Sequence, residues 1–317
     1  MKLPDDSILT VDFFSTTTER YIPALNQWID DADAPDFLYD AYGKEMGAGV
    51  LLPNGKTFFI GSTPVTALYT PSGNTNAGTW TAGPNIPGNL GAPDAPAAMM
   101  ANGKILCALS PTPYTLGGTN YIFTTPTYFL EYDYSVGAVG AFTLIHALDG
   151  TFAFTNATFT ERMLDLPDGT VLFAAGGRQL FVYKPDGSPL AAGKPVIQSI
   201  ERNPDGSLHL SGTLFNGISA GATYGEDAAM DSNYPLIRYT DASGNVIYGI
   251  THNWSSSGVQ TGSKVVTTEA TVPTSVANGS QPYTMQVVAN GIASDPISFY
   301  PLDYPTVSFV SPTNGAV

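Results

Sequence analysis

The chain has 317 residues and a mass of 33.3 kDa, and its 27 acidic against 12 basic residues give a net charge of −15. A field of that sign repels phosphate backbones and anionic lipid, which excludes nucleic acid and membrane surfaces as partners. No apolar run approaches the roughly 20 residues that span a bilayer, and the single cysteine, Cys107, excludes an intrachain disulfide or a cysteine-based metal cage.

With 33 Gly, 25 Pro and only 12% charged residues, the chain has many turns and few salt-bridged helical faces, which points to β structure. A repeat of about 48 residues supports this. Leu3-Pro4-Asp5-Asp6-Ser7 recurs as Leu52-Pro53-Asn54-Gly55-Lys56, as Ala101-Asn102-Gly103-Lys104, and as Leu166-Pro167-Asp168-Gly169-Thr170. The turn positions 5, 54, 102 and 168 are separated by 49, 48 and 66 residues. Asn-Gly and Asp-Gly between apolar runs predict hairpins with type I′ turns. A second mark keeps phase with the first. Tyr21, Tyr69 and Tyr183 follow turns 5, 54 and 168 by 16, 15 and 15 residues, and Trp28 and Trp80 close the first two units. An insertion, Thr112 to Thr127, delays the aromatic stretch of the third unit to 128–134. Three strands, a Tyr and a Trp per unit describe a propeller blade.

From Lys194 the pattern changes to short alternating strands at 195–200, 207–212, 236–240, 246–251, 265–272 and 283–288, as in an immunoglobulin-like sandwich. The expected organisation is all-β: about four kelch-like blades over 1–193, a sandwich over 194–302, and the start of a further β module or tail at 303–317. The connector 184–193 reads as a hinge. The first unit lacks a preceding strand, so the chain is expected to be a piece of a longer protein, with either missing flanking blades or a homodimer covering its open strand edges.

Three carboxylates stand at similar distances before the hairpins: Glu45 nine residues before Asn54, Asp94 eight before Asn102, and Glu161 seven before Asp168. If their strands line one channel, the three carboxylates converge as ligands for calcium, which takes six to eight oxygens. The plainer alternative is capping or solvated rim residues. The offsets change by one each time, so strict strand alternation does not aim them alike. Two acidic loops, Asp30–Asp40 and 224–234, carry the same two readings. Tyr114, Tyr121, Tyr128 and Trp254 are candidates for stacking on sugar rings.

Ala92-Pro93-Asp94-Ala95, Leu166-Pro167-Asp168-Gly169 with Gly176-Gly177, and Leu236-Ile237-Arg238-Tyr239 followed by Thr251-His252 resemble the kelch-type propellers of the galactose oxidase superfamily, with their C-terminal immunoglobulin-like domain. The likeness covers most of residues 1–302. It implies that the loop of His252, Asn253 and Trp254 reaches the channel face, where His252 would act as a base or ligand donor. The copper-radical ligands do not carry over. Ala97 stands where the family has its thioether cysteine, and Phe159-Thr160 where it has an adjacent Tyr-His pair. No copper and no oxidase activity are therefore expected. The closer likeness is to bacterial secreted kelch-repeat proteins, which implies an extracellular or periplasmic location.

Three functions follow as expectations. One is binding of carbohydrate or another oxygen-rich small ligand, through Asp94, Asn253 and Trp254. Another is calcium-assisted hydrolysis of a lactone or glycoside, with Glu45, Asp94 and Glu161 on the metal and His252 and Glu161 as catalytic groups. The last is a purely structural module. A zinc-binding His-Glu-x-x-His and a complete Gly-x-x-x-x-Gly-Lys-Ser/Thr phosphate loop are absent from the sequence.

Overall fold

The computed structural model describes residues 1–301 apart from 226 and 232. The expected β module at 303–317 and Glu226 lie outside the described residues. The protein is predominantly β, built from several separate antiparallel sheets.

Four sheets follow one another along the N-terminal two-thirds. The first joins β1 (Ile8–Val11), β2 (Thr18–Ile22) and β3 (Gln27–Asp30). The second joins β4 (Gly49–Leu51), β5 (Thr57–Ile60), β6 (Thr66–Thr70) and β7 (Thr79–Ala82). In the third, the short β8 (Leu90–Gly91) and β9 (Pro96–Met99) flank β10 (Ile105–Pro111). The insertion forms a separate hairpin of β11 (Tyr114–Leu116) and β12 (Asn120–Ile122), after which β13 (Tyr128–Asp133) and β14 (Ala141–Ile145) complete the third sheet. The fourth joins β15 (Arg162–Asp165), β16 (Val171–Ala174) and β17 (Leu180–Tyr183).

The repeated turns have a common geometry. Leu52 and Lys56 close a three-residue loop (Leu52 N–H to Lys56 O, 2.7 Å), and inside it the Gly55 N–H donates to Leu52 O at 2.9 Å. Only the last loop residue has positive φ: Asp6 at 66°, Gly55 at 84°, Gly103 at 88° and Gly169 at 86°. These are type I turns followed by a left-handed bulge residue, not the expected type I′ turns, in which both central residues would need φ > 0. The Asn or Asp ahead of that residue works through its side chain. Its Oδ1 accepts the N–H two residues on in every unit, at 3.0–3.1 Å for Ser7, Lys56, Lys104 and Thr170.

The Tyr and Trp marks are cross-strand partners. Tyr21 faces Trp28 and Tyr69 faces Trp80, with ring centroids 5.3 and 5.1 Å apart. Two of these tyrosines also bolt their sheet to the preceding one, Tyr69 donating to Asp31 at 2.9 Å and Tyr183 to Glu131 at 2.8 Å. Between sheets lie continuous apolar cores. Phe58 stacks on Tyr132 between the second and third, and Phe129 meets Phe173 edge-on between the third and fourth. Cys107 is fully buried among them, which raises its thiol pKa.

The C-terminal part begins with β18 (Val196–Arg202) and β19 (Leu208–Thr213), continues with a hairpin of β20 (Gly221–Tyr224) and β21 (Ala228–Asp231), and returns through β22 (Leu236–Thr240), β23 (Val246–Gly249), β24 (Thr251–His252) and β25 (Val266–Ala270). A single helical turn, α1 (Thr274–Ala277), precedes β26 (Tyr283–Ala289), β27 (Ile292–Ala293) and β28 (Ile297–Phe299). Two sheets, β18-β19-β25-β24 and one centred on β22 and β26, share a core of Leu208, Leu210 and Val266 against Ile237, Tyr239 and Met285.

All four repeated turns lie against this C-terminal part or the connector leading to it. An added Cβ on Gly258 would come within 3.1 Å of Asp6 Oδ1, Gln260 donates to Leu52 O, and Gly291 sits on Gly169. The connector is pinned along its length rather than free: the Leu190 N–H donates to Ala101 O at 2.7 Å and the Asn102 amide to Asp186 O at 3.0 Å.

Candidate functional site

The hairpin β20–β21 leaves the C-terminal part and becomes two further strands of the third sheet. β20 pairs with the inner edge of β9, Ala222 opposite Ala98 and Tyr224 opposite Pro96, and it packs beside β15. Its base is held by the buried Asn290, whose Oδ1 accepts the Ile218 N–H at 2.9 Å. Its tip therefore emerges at the end of β9 remote from the repeated turns, beside Asp94.

There the Tyr224 hydroxyl donates to Asp94 Oδ2 at 2.6 Å and lies 3.0 Å from Phe159 O. Above the Tyr224 ring, at 3.4 Å from its centroid, lies the guanidinium of the exposed Arg162, anchored by a 2.8 Å bond to Phe159 O. Asp94 is a non-glycine residue with φ +51° and is 9% exposed; its Oδ1 is buried without a hydrogen-bond partner. Burial raises its pKa, while the Tyr224 hydrogen bond and the Arg162 charge oppose the rise and Asp227 adds to it.

The insertion hairpin closes the neighbouring side. Tyr121 of β12 packs over Gly43 and donates to Asp40 Oδ2 at 3.0 Å. Burial first, then the charge and hydrogen bond of Asp40, drives the Tyr121 phenol above its ordinary pKa, and the charges of Glu45 and Asp94 add to the rise. Asp40 itself is a structural cap, accepting N–H bonds from Tyr42, Gly43 and Glu45 at 2.7, 2.6 and 3.0 Å. Rings continue from Tyr121 through Phe123 to Phe159, with centroids 4.7 and 4.5 Å apart.

Glu161 lies between Phe159 and Arg162 in sequence, yet it turns inward and is wholly buried. Among the described residues neither carboxyl oxygen has a hydrogen-bond partner, and the nearby Thr127 hydroxyl is directed at Asn156 O at 2.9 Å. Burial pushes the Glu161 pKa up to about 8.

Asp94 and the backbone of Met46, next to Glu45, both border Gly225, but among the described residues no three His, Cys, Asp or Glu side chains form a set that would hold a metal ion. At the positions that the resemblance assigns to copper, Ala97 and Phe159 carry no donor side chain, and the Thr160 hydroxyl donates to Ala157 O at 2.8 Å.

His252, Asn253 and Trp254 are placed elsewhere. His252 pairs across to Glu269, its Nε2 lies 3.4 Å from the Thr271 hydroxyl, and its ionic neighbours are Asp205 and Glu269. Asn253 has φ +53°, and Trp254 bonds to Thr251 Oγ1 at 2.8 Å beside Tyr234. The segment of the C-terminal part that does reach Asp94 is the hairpin tip at Tyr224 and Gly225. In the acidic loop, Asp31 binds the buried Arg20 at 2.8 Å and the Gly78 N–H at 2.7 Å, so its role is structural. Sequence reasoning missed Tyr224 and Arg162. The available signal was the polar and aromatic density of 224–234, without any indication of where that loop lands.

No family model matches the chain, and no curated protein matches it. Among solved structures it has a weak likeness, at 15% identity and a TM-score of 0.34, to a fungal alcohol oxidase of the AA5 family in complex with copper, covering 94% of this chain and 74% of that one. A likeness of that size supports no argument about activity.

Proposed function

We infer that the four N-terminal sheets are kelch-like propeller blades over 1–193, that the two C-terminal sheets form an immunoglobulin-like sandwich over 194–302, and that the protein is a secreted binder of an oxygen-rich small ligand such as a carbohydrate. The binding face is the one where Asp94, Tyr224 and Arg162 meet the ring series Tyr121, Phe123 and Phe159. The observation that carries this reading is Asp94, a carboxylate with one oxygen fixed by Tyr224 and the other without a partner, on a left-handed backbone beside the exposed Arg162 and the part-exposed Phe159. Ligand hydroxyls suit such an acceptor, and sugar faces suit the neighbouring rings. A strained acidic residue held in place by its surroundings is typical of a recognition site.

Screening a glycan array and titrating the best ligand against Asp94→Asn and Phe159→Ala tests it. Each substitution is expected to weaken binding at least tenfold with the melting temperature kept. Affinity within twofold of wild type in both variants removes the reading.

Glu161 favours a second reading, hydrolysis of a lactone or glycoside. A carboxyl held protonated near neutral pH by burial is suited to giving a proton to a leaving group. Calcium belongs to this reading as a proposed cofactor. Turnover lost in Glu161→Gln and on treatment with EGTA supports it, and EGTA-indifferent turnover removes the calcium.

A further inference from the structure

The other face of hairpin β20–β21 borders a cavity of about 550 Å³, bounded by the first two sheets and lined at the hairpin tip by Gly225, with neither Asp94, Tyr224 nor Arg162 in its lining. Leu9, Val11, Met46, Leu51, Phe59 and Val259 give it apolar walls. Strand alternation sets what the hairpin contributes. Ala222 faces the core between the third and fourth sheets, so Thr223 faces the other way, into the cavity. Thr223 is 8% exposed, and its hydroxyl has no hydrogen-bond partner. Among the described residues, Lys2 carries the one charged side chain in the lining, its Nζ engaged by Asp6 at 3.1 Å and Ser257 at 3.3 Å, and the α-ammonium of Met1 beside it donates to Leu9 O at 2.7 Å.

A space of this volume with apolar walls and one unsatisfied polar atom has the make-up of a small-molecule site, in which the polar atom orients the ligand. Leaving a buried hydroxyl unpaired is unfavourable, and a ligand oxygen would relieve it. With both cations engaged and no other charge among the described lining residues, an ion would be poorly paired there. We propose that this cavity binds an uncharged small molecule with an aromatic or alkyl body and a single hydroxyl or carbonyl group, which bonds to Thr223. The site is distinct from the carbohydrate face and does not depend on it.

The test uses the full chain and the neutral fluorophore N-phenyl-1-naphthylamine, displaced by naphthalene or 1-naphthol. Saturable one-to-one binding is expected. Val11→Trp and Ala228→Phe fill the cavity from opposite walls, and each is expected to weaken binding at least tenfold. Thr223→Val is expected to weaken displacement by 1-naphthol about fivefold, the value of one modest hydrogen bond, while leaving naphthalene within twofold. Asp94→Asn should leave fluorophore binding unchanged, so failure of the carbohydrate reading and failure of this one are told apart. Circular dichroism and melting show which filling variant folds, and either one suffices. Emission that never saturates, or affinity unchanged in a folded filling variant, overturns the proposal. Equal losses for naphthalene and 1-naphthol in Thr223→Val overturn the role of the hydroxyl.

Discussion

Glu161 shows how one buried group makes stability depend on pH. Its pKa is near 8 in the folded chain and near that of an ordinary glutamate in the unfolded one, so the folded state holds the extra proton between those values. Stability is then fully present below the unfolded pKa and declines as pH rises through about 8. Glu161→Gln removes the titration. The variant is expected to match or fall slightly below wild type at pH 4 and to exceed it at pH 9, because the amide cannot ionise in the buried site. Melting curves across that range check it, and parallel curves for the two proteins would show that Glu161 is not the group responsible. Asp94, Glu45 and Glu161 were legible in the sequence because each stands at a near-constant offset before a hairpin. Tyr224 was not, because its contact with Asp94 spans 130 residues.

Hairpin β20–β21 sets which groups meet. Gly225 at its tip has φ +48°, and an added Cβ would stand 2.9 Å from Asp94 Oδ1 and 3.2 Å from Met46 O. Gly225→Ala combines backbone strain of about 1–3 kcal/mol with displacement of the Asp94 carboxylate. A lower melting temperature and weaker ligand binding are both expected, in contrast to Asp94→Asn, which should lower binding alone. Calorimetry with ligand titration separates the two. The turns were legible as turns but not by type. Asn-Gly and Asp-Gly serve a type I′ turn and a type I turn with a bulge equally well, and the three-residue closure from Leu52 to Lys56 selects the second.

On the scale of the molecule, the repeated turns form a seam with the C-terminal part. Gly291 is its tightest point: a Cβ there would lie 2.6 Å from Gly169 Cα, and φ is +69°. Because the three atoms that Cβ would meet, Gly169 Cα, Gly169 N and Leu166 O, are all backbone, Gly291→Ala is expected to open the seam. Unfolding should change from one cooperative transition to two in scanning calorimetry, the C-terminal sheets melting apart from the rest. A single unchanged transition would mean that Gln260 and the pairing of β20 with β9 hold the two parts together without Gly291.

The β class, the phase of the units and most strand positions came from the sequence alone, because hairpin chemistry and alternation act between residues close in the chain. Leu236–Thr240 was predicted to the residue, and Tyr283–Val288 differs by one. The resemblance to a known family pointed to His252 as the group reaching the site; the residue of the C-terminal part that meets Asp94 is Tyr224, and His252 pairs across to Glu269. Which loop enters between β9 and β15 depends on strand pairing between residues 96–98 and 222–224, and on Asn290 fixing the base of the hairpin. Neither leaves a local pattern, since one sheet edge accepts many strands and burial selects the one that fits. The same holds for Glu161: its position in the chain suggests a rim carboxylate, and only the packing of the third and fourth sheets around it turns it into a buried acid.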